Sequence, residues 1–105
     1  MLKFHYSEGK YIPRLLCDIC GKSIENADRA IVVNRPHTDS FKDEMLDAMV
    51  VHRGDCDLSA TQKLGVTHTG SADLDHYLFN LIHNIGLTLD ELSKRSERYD
   101  RLNDL

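Results

Sequence analysis

The sequence is short of several things, and each shortage excludes something. It has no tryptophan, only two prolines, and no long unbroken apolar run. Without about 18 consecutive apolar residues no segment reads as a membrane span, and the N-terminus lacks the apolar centre of a secretory signal. Basic charge is also short: 13 Lys and Arg face 17 Asp and Glu, for a formal net charge of −4. Sequence-independent nucleic-acid binding rests on cationic surface, so this balance disfavours it. The three cysteines are an odd number and cannot all pair within one secreted chain, so a cytoplasmic location is the expectation. No phosphate-cradling glycine loop, Ser/His/Asp motif, internal repeat or low-complexity tract is visible. Length is limited as well. A chain of 105 residues builds a modest core, and small cores often depend on a metal or a disulfide.

What the chain does have is a concentrated set of metal ligands. Cys17-Asp18-Ile19-Cys20 is a CxxC pair followed at once by Gly21. Two intervening residues let both thiolates face one ion, and the glycine permits the tight turn of a zinc knuckle. His52-Arg53-Gly54-Asp55-Cys56 supplies an HxxxC pair and accounts for the remaining cysteine. Cys17, Cys20, His52 and Cys56 together make a Cys₃His set for one structural Zn²⁺. Two plainer readings stand beside it, a redox dithiol and unliganded thiols. The redox motif normally opens a long helix, which Gly21 and the residues after it do not suggest. Of the six histidines, His52 is nearest in sequence to Cys56, with His37 and His68 as substitutes for the fourth ligand.

The pattern around these ligands predicts a small α+β fold. Leu2–Tyr6 and Tyr11–Leu16 flank a turn and read as a hairpin, with Pro13 marking an edge strand. Arg29–Asn34 and Ala48–His52 read as strands of a second hairpin, joined by the polar, acidic stretch His37–Asp47. A short helix is expected over Asp57–Leu64, stopped by Gly65. Val66–Ala72, rich in Thr, Gly and Ser, reads as a linker. A helix over Asp73–Ile85 follows, with Leu74, Tyr77, Leu78, Leu81, Ile82 and Ile85 on one face. Thr88 and Glu91 form a capping box, with Leu87 and Leu92 as its hydrophobic staple, opening a last helix to about Leu102. Asp90–Lys94, Glu91–Arg95 and Glu97–Arg101 stand at i,i+4 along it. The division expected is a zinc module over 1–65, a linker over 66–72 and a C-terminal helical hairpin over 73–105.

The order of knuckle, hairpin, and a helix starting at the last ligand resembles a treble clef, over about Cys17 to Gly65. CxxC-Gly-Lys with a later His and Cys-Asp also resembles half of a LIM domain. The gap between the pairs is longer here, the second pair has three intervening residues, and a second zinc module is missing. The closer resemblance is to small bacterial proteins that carry one such zinc module. It implies that the knuckle gives two ligands and the region of the helix start the other two.

Other groupings have simpler accounts. His76, Asn80 and His83 share one face of the first C-terminal helix, opposite its apolar face, and read as its solvated side. Treble clefs include HNH-type nucleases, but no adjacent His-His pair exists and His52 is already assigned as a ligand. A full Cys₃His shell leaves zinc no open position, so no enzyme activity is expected. Two functions remain. One is a protein-interaction module or adaptor that binds a protein partner, or itself, through residues 73–105. The other is a nucleic-acid-binding regulator using Lys22, Arg29, Arg35, Arg53 and the basic positions Lys94, Arg95, Arg98 and Arg101 of the last helix. A thiol or zinc sensor is a minor third reading.

Overall fold

The computed structural model describes residues 1–37, 43, 45–65 and 70–96. Among these residues it is α+β, with two antiparallel sheets and three α-helices. Strands β1 (Leu2–Ser7) and β2 (Lys10–Leu15) form a two-stranded hairpin, with Leu2 opposite Leu15 and Tyr6 opposite Tyr11. Its turn is Glu8-Gly9, and both residues have positive φ, 53° and 77°. Two such residues match the right-handed twist of the strands they join. Pro13 sits in β2, where a strand with one open side tolerates a missing N–H. The hairpin closes at its base through Leu16 N–H to the Met1 carbonyl, 2.8 Å, and the Met1 ammonium to the Leu16 carbonyl, 2.9 Å.

The second sheet carries the core. Strand β3 (Ala30–Asn34) lies between β4 (Ala48–His52) and β5 (Gly70–Asp73), antiparallel to both. A central strand covered on both faces should be apolar throughout, and Ala30, Ile31, Val32 and Val33 are all buried. Their alternation builds two small cores. Ile31 and Val33 join Cys17, Val51 and Ala60 on one face, beneath helix α1 (Asp55–Leu64). Ala30 and Val32 join Leu74 on the other, beneath helix α2 (Leu74–Asn84). The cysteine knuckle is therefore part of the first core, which couples any metal held there to the packing of the sheet.

Three differences from the sequence reading have physical causes. The linker expected over 66–72 is a strand from Gly70 onward. Gly70-Ser71-Ala72-Asp73 has little β-propensity, but it satisfies the open edge of β3, pairing Asn34 with Gly70 and Ile31 with Asp73. Arg53 then ties the end of β5 down through its guanidinium to the Asp73 carboxylate. Helix α1 begins at Asp55 rather than Asp57, which brings Cys56 into its first turn. Helix α3 (Leu89–Arg95) ends at its C-cap Ser96, short of the expected Leu102, and α2 and α3 pack little against each other. The expected helical hairpin has its turn, at Gly86 with φ 84°, but not a shared apolar seam among the described residues. The Glu97–Arg101 pair, Arg98 and Leu102 lie outside them. The Thr88 cap forms as read, accepting from Glu91 N–H at 3.0 Å, and Lys94 reaches Asp90 at 3.1 Å. No helix among the described residues is long and apolar enough to cross a membrane.

Candidate metal centre

Three local devices deliver the four candidate ligands. Cys17 N–H bonds the Lys22 carbonyl at 2.9 Å and Gly21 N–H bonds the Cys17 carbonyl at 2.9 Å, so the CxxC loop folds back on itself. Gly21 has φ 74°, a conformation that only glycine adopts cheaply. Ile19 N–H points at the Cys17 sulfur, 3.4 Å away, as expected where backbone amides stabilise a thiolate. His52 ends β4, in register with Ala30. Gly54, with φ 92°, turns the chain so that Cys56 falls in the first turn of α1.

The result is one cluster. One ligand atom from each of Cys17, Cys20, His52 and Cys56 lies within 4.8 Å of every other. A tetrahedron with Zn–S bonds near 2.3 Å has sulfur–sulfur edges of about 3.8 Å. The four atoms are thus preassembled and need contract by only about 1 Å to hold an ion of that size. The His52 Nδ1 lies 3.4 Å from the Cys20 sulfur, making Nδ1 the inward donor. Of the substitute histidines, His37 is exposed and not part of the cluster, and His68 lies outside the described residues. The fold brings the four side chains read from spacing into one group.

The electrostatics of the cluster call for a cation. Burial pushes the Cys17 thiol up, but hydrogen bonds from the backbones of Cys20, His52 and Ile19 outweigh it and hold its pKa at about 6. Cys56 is pushed up to about 11, by lost hydration and by the sulfurs of Cys17 and Cys20 beside it. One thiol ionises readily and its neighbour then resists, the behaviour of like charges sharing a site. A divalent ion reverses that resistance.

Asp18, inside the CxxC pair, is a positioning residue that the motif reading passed over. Its backbone N–H bonds the Val50 carbonyl at 2.8 Å, and its Oδ2 accepts from Val50 N–H at 2.9 Å. Its Oδ1 lies 3.1 Å from the Met1 ammonium. This one side chain clamps the knuckle to β4, the strand that carries His52, and to the first hairpin. Nothing in CxxC spacing marks it, because the role depends on a strand 32 residues away.

The remaining candidates do not assemble. His76, Asn80 and His83 are exposed, Asn80 bonds the His76 carbonyl at 2.9 Å, and none of them joins a metal-ligand group among the described residues. Arg53 is engaged by Asp73 and by the Asp28 carbonyl at 3.0 Å. Comparison with known proteins returned no matching family model, no similar curated protein and no similar solved structure.

Proposed function

We propose that this chain is a treble-clef-like structural zinc module that serves in protein interaction and does not catalyse a reaction. The observation that carries the metal reading is the convergence of Cys17, Cys20, His52 and Cys56 to within 4.8 Å. Sulfur-rich tetrahedral donor sets suit zinc, or iron in rubredoxin-like chemistry, and the imidazole favours zinc. Four protein donors complete a tetrahedral shell, so the ion acts as a structural tie with no site for substrate. Three thiolates also fit a reducing compartment, in line with a cytoplasmic home.

The interaction reading is supported by exposed apolar surface on the N-terminal hairpin and the C-terminal helices. The nucleic-acid reading has less support. Arg53, one of its basic residues, is already bound within the fold, and the net charge is −4.

The test is metal analysis of protein purified without chelators. One equivalent of zinc is expected, and Cys17→Ser and His52→Ala should each lower it. Cobalt substitution should give the visible bands of tetrahedral thiolate coordination. Metal-free protein, or a His52→Ala variant with unchanged zinc affinity, would refute the ligand assignment.

A further inference from the structure

The N-terminal hairpin exposes what a hairpin should hide. Leu2, Phe4 and Tyr6 alternate on one face of β1, and Tyr11 pairs with Tyr6 on β2. Leu2 is 85% exposed, Phe4 and Tyr6 are 61%, and Tyr11 is 51%. The rings pack on one another and form a ridge: Phe4 meets Tyr11 edge-on at 6.3 Å, and Tyr6 meets Tyr11 at 4.9 Å. An isolated two-stranded hairpin is marginal in water, so an uncovered apolar face on it is unfavourable.

Beside the ridge lies a groove. Leu2 and Leu15 of the hairpin form one wall, and Leu74, Tyr77, Leu78 and Leu81 of α2 form the other. The groove holds about 230 Å³ and is predominantly apolar. Tyr77, Leu78 and Leu81 keep 38–40% of their surface exposed. The face of α2 that the sequence pattern marks as buried is only partly covered by its own chain among the described residues.

We propose that this ridge and groove form a two-fold interface between two copies of the chain, each aromatic ridge seated in the partner's groove. This rests on the interaction reading above and names its partner. A two-fold contact requires that one surface carry both complementary shapes, and this surface does. The area also fits. Given roughly 200–250 Å² for a whole aromatic residue, Leu2, Phe4, Tyr6, Tyr11, Tyr77, Leu78 and Leu81 leave about 800 Å² exposed, the contribution of one partner to a standard interface. Formal charge agrees in sign. Residues 1–16 carry Lys3, Lys10 and Arg14 against Glu8, a balance of +2. Asp73 is already paired with Arg53, and residues 74–96 carry Asp75, Asp90 and Glu91 against Lys94 and Arg95, a balance of −1. Exchanging hairpins across the two-fold brings the opposite signs together.

Sedimentation equilibrium on the zinc-loaded full chain tests this. A monomer–dimer equilibrium with Kd in the micromolar range or below is expected. Tyr6→Asp on the ridge should raise Kd at least about 30-fold, the scale of an aromatic anchor. Tyr77→Glu, on the other side of the groove, should do the same and serves if Tyr6→Asp fails to fold. His5→Ser, on the opposite face of β1, should leave Kd unchanged. Zinc content and far-ultraviolet circular dichroism must match the parent chain in each variant used. A monomer at every concentration overturns the proposal, as does a dimer indifferent to both substitutions. A monomer whose Tyr6→Asp form loses a different protein partner would overturn self-association yet leave the interaction reading standing. A monomer in which deleting residues 97–105 increases binding of an apolar dye would instead assign the face to the chain's own C-terminus.

Discussion

Removing the metal is the sharpest perturbation available to this fold. The ligands come from the knuckle, the end of β4 and the first turn of α1, so one ion would tie three separate segments. Cys17 is fully buried and packs with Ile31, Val33, Val51 and Ala60. The large buried side chains described are few, namely Ile31, Val32, Val33, Val51 and Leu74. A structural zinc contributes on the order of 10 kcal/mol or more at neutral pH. Whole domains are stable by only about 5–15 kcal/mol. The metal is therefore expected to account for most of the net stability, and its loss should unfold at least residues 12–65. A high-affinity chelator should abolish the far-ultraviolet dichroism of β3, β4 and α1, and re-adding zinc should restore it. A fully metal-free protein with an unchanged spectrum and a cooperative melt within a few degrees of the loaded form would refute the reasoning.

Three further outcomes are expected. Asp18→Ala removes the acceptor of Val50 N–H and the partner of the Met1 ammonium, and should destabilise the zinc-loaded protein by about 1–3 kcal/mol in a denaturant melt with zinc stoichiometry retained. Glu8→Asn should stabilise the chain by about 0.5–1 kcal/mol, because φ 53° strains glutamate and suits asparagine; an unchanged melting temperature would count against strain in that turn. Zinc affinity should rise with pH. Cys56 holds its proton to about 11 and must release it to bind, so Kd should fall at least tenfold per unit as pH rises through neutrality. Below about 6 the Cys17 proton competes as well, and the slope of competition titrations should steepen.

The sequence by itself determined whatever depends on neighbours along the chain. The CxxC loop, the Glu8-Gly9 hairpin, the apolar run of β3 and the Thr88 cap are local, set by residue spacing and backbone preference. The ligand set was legible for the same reason, since its two pairs are short-range and use every cysteine. Tertiary structure alone decided the rest. Gly70–Asp73 is a strand because β3 had an unpaired edge, which outweighs weak β-propensity. Asp18 acquires its role from Val50, far away in the chain. The apolar face of α2 predicts burial from its periodicity, yet it remains half open among the described residues. Periodicity reports that a face is apolar, and only packing shows whether the same chain covers it.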